Sequence, residues 1–128
     1  RHAKYGSYAI SLVSKNPKYE DDMQEKVDYV INFIFSKLIK HPAIYNINIP
    51  DIPYSQIKGL KFSKQGSRNI SKRANKVIRN KKNYYNIGEV GKGNLILKSD
   101  FLTIHKKYVS VTPIKIDMTD YETYHKLK

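Results

Sequence analysis

The chain has 128 residues, 40% of them apolar, no Cys, and a net charge of +13 from 24 Lys+Arg against 11 Asp+Glu. That length is one ordinary domain; a disulfide scaffold and a Cys-ligated zinc site are excluded, and no apolar run approaches the ~20 residues needed to cross a bilayer. The cationic excess favours anionic partners such as nucleic acid, nucleotides or acidic surfaces, although Lys greatly outnumbers Arg, the better specific phosphate reader.

The chain opens at Arg1 rather than Met, as a fragment or a chain lacking its start would. No signal peptide is visible, and the expected compartment is the cytoplasm. Residues 8–13, YAISLV, follow Gly6 and precede Asn16-Pro17. They do not alternate cleanly, which predicts a buried, parallel strand. Residues 20–40 place Met23, Val27, Val30, Ile31, Ile34, Phe35, Leu38 and Ile39 at steps of three and four. That is the apolar face of an amphipathic helix. Glu20, Asp21 and Asp22 occupy its first turn and Lys37, Lys40 and His41 its last, in accord with the helix dipole. Pro42 is expected to stop it.

Residues 44–49, IYNINI, read as a strand with Tyr45, Ile47 and Ile49 on one face and Asn46 and Asn48 on the other. Residues 57–64, IKGLKFSK, read as another. Strand, helix and strand in this order predict a βαβ unit. Residues 65–83 lose all apolar period and read as an exposed excursion, a hairpin arm or a loop. Residues 84–89 form a candidate strand, and Gly88, Gly91 and Gly93 punctuate a turn. Ser99 or Asp100 caps a short helix that runs to Lys106. Residues 108–117 form a closing strand in which Pro113 argues for an edge or a bulge. The tail from Asp120 onward is polar with interspersed Tyr.

These blocks, in this order, resemble the SurE family. The family's I-N-[IV]-N-[IV]-P strand is similar to Ile47, Asn48, Ile49 and Pro50 with Asn46 before them. DIPYSQIKGLKFSKQGSR, residues 51–68, looks like its proline turn, K-G-[IL] strand and G-[ST]-R ending. YYNIGEVG, residues 84–91, is similar to its Y-W-I-G segment, and Ser99-Asp100-Phe101 stands where the family has T-D-[FY]. YVSVTPIKIDMT, residues 108–119, is close to its Y-V-S-[IV]-T-P-L strand. The departures are Lys107, where a Gly usually precedes the Tyr, and Lys98-Ser99, which replaces Gly-Thr.

The resemblance implies a three-layer α/β/α fold with a mostly parallel sheet and C-terminal hairpin and edge-strand extensions. Residues 1–128 would be the C-terminal half of one such domain, with 65–94 a protruding basic arm and 108–117 the closing strand. It implies a 5'/3'-nucleotidase that releases phosphate from nucleoside monophosphates with Mg²⁺ or Mn²⁺. The metal site is implied to be two adjacent Asp with a Ser and an Asn, all in the missing N-terminal half, so no catalytic or metal residue is assigned here. A homodimer or homotetramer is implied, with Tyr108, Val109, Val111 and Pro113 as oligomer contacts, and Ser99 and Asp100 as the positions nearest substrate.

Each candidate also has a plainer reading. Asp21-Asp22 superficially resembles a metal pair but opens a helix, where acids belong. His2, His41, His105 and His125 have no metal-ligand spacing. The glycines do not make a phosphate loop. Ser99-Asp100 reads as a cap, and Asn46 and Asn48 as hydrogen-bonding to a neighbouring loop. Between Asp51 and Glu89 there is no acidic residue, while the cations run from Lys58 to Lys82. Two readings of that stretch stand: a solvated or subunit-reaching arm, or a non-enzymatic module binding RNA or DNA through its phosphates.

Overall fold

The structure, a computed structural model, describes residues 6–14, 17–41 and 43–128; His2, Asn16 and the helix stop at Pro42 lie outside the described residues. Four strands form the main sheet: β1 (Ser7–Val13), β2 (Ile44–Pro50), β3 (Leu60–Phe62) and β6 (Val109–Ile114), in the order β1-β2-β6-β3. A hairpin of β4 (Asn75–Arg79) and β5 (Lys82–Asn86) stands apart as a second sheet. The helices are α1 (Met23–Phe33), α2 (Asp100–His105) and α3 (Tyr121–Lys126).

β1, α1 and β2 make the βαβ unit, with Tyr8 opposite Tyr45 and Ser11 opposite Asn48 in a parallel register. β3 also runs parallel to β6, whereas β2 and β6 are antiparallel, so two of the three pairings in the sheet are parallel. Strand alternation then separates two faces. Tyr45, Ile47 and Ile49 of β2 and Val109 and Val111 of β6 pack beneath Val30, Ile34 and Leu38. These three recur every four residues, so they form one stripe of α1 and of the π-helical turn Ile34–Leu38 that prolongs it. The apolar face read from the sequence is wider than this stripe: Ile31, Phe35 and Ile39 remain exposed.

The opposite face is polar. Ser63, Ser110 and Thr112 are buried there and satisfy one another, with hydroxyl oxygens 2.8 and 2.9 Å apart. Buried hydroxyls without such partners would be costly. The short helix α2 packs on this side, so the sheet lies between α1 and α2 as the three-layer expectation required.

Three expectations for the main sheet need correction. β1 is not buried. It forms the sheet's outer edge, with Ile10 39% and Val13 41% exposed, because no described segment pairs with its far side. β6 is not an edge strand, because it runs between β2 and β3. The edge signal at Pro113 is nevertheless sound for that residue alone. Val109 N–H donates to Gly59 O, and Val111 O accepts from Ser63 N–H, so alternate residues of β6 face β3. β3 ends at Phe62, short of Pro113, whose missing N–H therefore has no strand to serve. Finally, the strand expected over residues 57–64 shortens to Leu60–Phe62. Gly59 interrupts it at φ 122°, a conformation open to glycine and rarely to other residues.

The excursion folds as antiparallel limbs. Asn69 N–H donates to Lys92 O and Lys72 N–H to Glu89 O, and the limbs continue into the β4–β5 hairpin. Asn80 (φ 49°) and Lys81 (φ 59°) make its turn, as a two-residue hairpin loop requires. Gly88, Gly91 and Gly93 are not a turn. They lie on the returning limb, which runs close against the outgoing one; a Cβ at Gly91, for example, would meet Asn69 O at 1.9 Å.

Candidate functional site

A cavity of about 620 Å³ opens on the polar face, at the carboxyl ends of the parallel strands β1 and β2. Open α/β sheets hold their ligands at that end of the strands. Its floor carries Ser11, Asn46 and Asn48, and its wall carries Arg68, Asp100 and Phe101.

Strand alternation brings the floor together. The residues that bury Tyr45, Ile47 and Ile49 on one side must turn Asn46 and Asn48 to the other. Ser11, register partner of Asn48, donates its hydroxyl to Asn48 Oδ1 at 2.8 Å. This leaves the Asn48 amide N–H₂ as a donor group at the cavity.

The wall is built from three separate stretches of chain. Ser99 caps α2, its Oγ accepting from Leu102 N–H at 3.2 Å. Asp100 Oδ1 accepts from Gly66 N–H at 2.9 Å and Phe101 N–H at 2.8 Å, which ties the 65–68 loop to the helix start. Phe101 fits between two glycines. A Cβ on Gly93 would lie 2.2 Å from Phe101 Cδ1, and one on Gly66 2.5 Å from Phe101 Cδ2. Arg68 stacks on the same ring, with its guanidinium carbon 4.7 Å from the ring centre, and donates to Gly91 O at 3.1 Å.

Two carboxylates bind backbone and side-chain donors from other stretches of the chain. Burial opposes the charge of Asp51, but hydrogen bonds from the Ser14 hydroxyl and the Lys18 and Tyr19 N–H groups outweigh it and lower its pKa. Asp22 is held below the usual carboxylate range by the Lys26 side chain and then by Tyr54 N–H. Lys26 is fully buried; its Nζ pairs with Asp22 and donates to Tyr19 O at 2.9 Å. Asp22 is therefore engaged structurally, beside a helix start.

Of the candidates named from the sequence, Asp100 reaches the cavity and Ser99 stays behind it, buried at the start of α2. Val109 and Val111 are corrected: both are 0% exposed in the core beneath α1, so their side chains do not reach a subunit surface. Tyr108 is half-buried with Lys61 Nζ 3.8 Å above its ring, and Pro113 is exposed. Sequence reasoning gave no functional weight to Ser11 or Phe101, and weighed Arg68 only as one cation of the basic stretch from Lys58 to Lys82. One signal was available for Arg68, an Arg closing the G-S-R block in a chain otherwise rich in Lys. Among the described residues, no three His, Asp or Glu side chains gather as a metal site would need. None of the described helices is long and apolar enough to cross a membrane.

Comparison with known proteins gives a consistent picture. The family model described as "Survival protein SurE" matches residues 1–72. A "5'-nucleotidase SurE" of Natranaerobius thermophilus is 32% identical over 125 residues, 94% of this chain and 48% of that protein. One of Histophilus somni is 34% identical over 128 residues, 96% of this chain and 50% of that protein. A "5'/3'-nucleotidase SurE" of Wigglesworthia glossinidia brevipalpis is 37% identical over 125 residues, 94% of this chain and 48% of that protein. The crystal structure of a SurE protein from Aquifex aeolicus superposes with a TM-score of 0.72 at 26% identity, covering 96% of this chain and 50% of that one. The chain thus spans about half the length of the curated relatives it matches.

Proposed function

The chain belongs to the SurE family, and from that premise we propose that it is the C-terminal half of a nucleotidase that hydrolyses nucleoside monophosphates to nucleoside and phosphate. What carries this reading is the shared name of the matched relatives, each a SurE nucleotidase. The cavity agrees with it. Amide and hydroxyl groups suit the sugar and base of a nucleotide, a guanidinium suits its phosphate, and Val13, Val90 and Ile104 add apolar lining.

In this proposal the enzyme uses a divalent cation, Mg²⁺ or Mn²⁺, which takes oxygen ligands. The described residues of this chain do not fit such an ion. Asp22 is occupied by Lys26 and Tyr54, Asp51 by Ser14, Lys18 and Tyr19, and one oxygen of Asp100 by two backbone N–H groups. Its ligands therefore belong to the other half of the protein. The present half contributes the floor and wall of the substrate cavity, with Asp100 beside substrate and Ser99 positioning it.

We assign the protein a homodimeric or homotetrameric state, with contacts made through the exposed hairpin and tail. The support is exposed apolar area on both: Ile78 and Tyr85 on the hairpin, Ile116, Met118 and Leu127 on the tail. The test of the activity is phosphate release from a nucleoside 5'-monophosphate by the full-length protein with Mn²⁺ or Mg²⁺. Turnover that stops on adding EDTA is expected; absence of metal-dependent turnover overturns the reading.

A further inference from the structure

Among the described residues, Arg68 is the one cation lining the cavity, across from Asn46 and Asn48 on the floor. No carboxylate among the described residues forms a salt bridge with it, although Asp100 lines the same wall. Asp100 Oδ1 is instead directed to Gly66 and Phe101 N–H. The guanidinium is held from two sides without being neutralised, by the Phe101 ring and by the Gly91 carbonyl. A stacked guanidinium keeps its plane fixed while its remaining N–H groups point away from the ring edge. An arginine oriented in this way, with its charge unspent, is prepared for an anion.

Other cations of the same stretch differ. Lys72 is paired with Glu89, and Lys61 lies over Tyr108 away from this cavity. Lys76, Arg79, Lys81 and Lys82 sit on the exposed hairpin, within or beside β4 and β5. Among the described cations, only Arg68 combines a held orientation with a place on the cavity wall.

We propose that Arg68 is a substrate-binding residue that holds the phosphate group of the nucleotide in this cavity, while Asn46, Asn48 and Ser11 meet its uncharged part. The assignment rests on the nucleotidase reading for the identity of the ligand. It adds that recognition of the phosphate is shared between this half of the protein and the half that supplies the metal. Besides its place next to substrate, Asp100 fixes the loop bearing Arg68 to the start of α2 through Gly66 N–H.

The test is binding by the full-length protein of a nucleoside 5'-phosphonate in which carbon replaces the bridging oxygen, with Mg²⁺ present, measured by calorimetry. Inorganic phosphate is the second probe. Arg68→Gln should weaken binding of both by at least about tenfold, the usual effect of losing a charge-assisted hydrogen bond, and Arg68→Lys should recover part of the loss. Thermal midpoints of both variants are measured in parallel. Equal affinity of Arg68→Gln and wild type overturns the proposal. So does a loss that follows the thermal midpoint and is the same in Arg68→Lys and Arg68→Gln, since that marks a purely structural residue. Phosphate release by the wild type tests the parent activity separately: turnover with unaltered Arg68→Gln binding removes this proposal and leaves the nucleotidase standing. An inactive wild type that binds the phosphonate through Arg68 removes the activity and leaves the anion site.

Discussion

The guanidinium of Arg68 lies 4.7 Å from the centre of the Phe101 ring, which itself fills the space left by Gly66 and Gly93. One wall of the cavity therefore depends on the absence of two Cβ atoms. Gly93→Ala places a methyl 2.2 Å from Phe101 and must displace either the ring or the limb bearing residue 93. A loss of about 1–3 kcal/mol is expected, as for other overpacked sites. Urea denaturation of the full-length protein measures it; unchanged stability would show that Phe101 is not seated between the glycines.

Val111 is a core residue, 0% exposed, between β2 and β3. Val111→Ala should cost roughly 2 kcal/mol through lost burial and the cavity left behind. It should not change the oligomeric mass read by light scattering. A change of mass without loss of stability would return Val111 to the subunit interface.

The features legible in the sequence were those set by near neighbours. The spacing of Val30, Ile34 and Leu38 announced α1, and the alternation of Tyr45, Ile47 and Ile49 with Asn46 and Asn48 announced β2 and its two faces. The parallel pairing of β1 with β2 followed from the helix between them. Sheet order did not follow. The interior place of β6 depends on β3 arriving alongside it from a distant part of the chain, which no local pattern records. Lys26 was also illegible. Lysines are seldom buried unpaired, and its burial depends on Asp22 and the Tyr19 carbonyl meeting it at one point. The cavity was half legible. Two Asn on one strand face were an oddity with a local cause, whereas the meeting of Arg68 with Phe101 is tertiary.

Acid should loosen the contacts of Asp51 with Ser14, Lys18 and Tyr19. The pKa of Asp51 is lowered from its usual 3.8, so its hydrogen bonds contribute stability that is fully present above that value. That contribution is lost as the pH falls through the lowered folded value. Asp22 behaves with the same sign. Asp51→Asn should therefore be less stable than wild type at pH 7, and the gap should narrow below pH 3.8 and close as the pH falls through the lowered folded value, where the wild-type carboxylate also protonates. Chemical denaturation at several pH values checks this. A gap that widens in acid contradicts it.

The free edge of β1 predicts the behaviour of the 128 residues expressed alone. Ile10 and Val13 on that strand, with Phe35 and Ile39 on the outer side of the helical layer, are partly or largely exposed. An unpaired strand edge with apolar side chains templates association. Sedimentation velocity should find self-associated or poorly soluble material. A monomer that melts cooperatively would contradict this expectation.

The cavity of Ser11, Asn46, Asn48, Arg68 and Phe101 is proposed above as the substrate side of a nucleotidase. Hydrogen exchange of the full-length protein, with and without the non-hydrolysable nucleoside 5'-phosphonate and Mg²⁺, tests it most directly. Slowed exchange on ligand binding is expected in residues 12–14, 66–68 and 90–91, the end of β1 and the two limb segments beside that cavity. Ligand bound, as shown by calorimetry, with exchange in those three segments unchanged would contradict it.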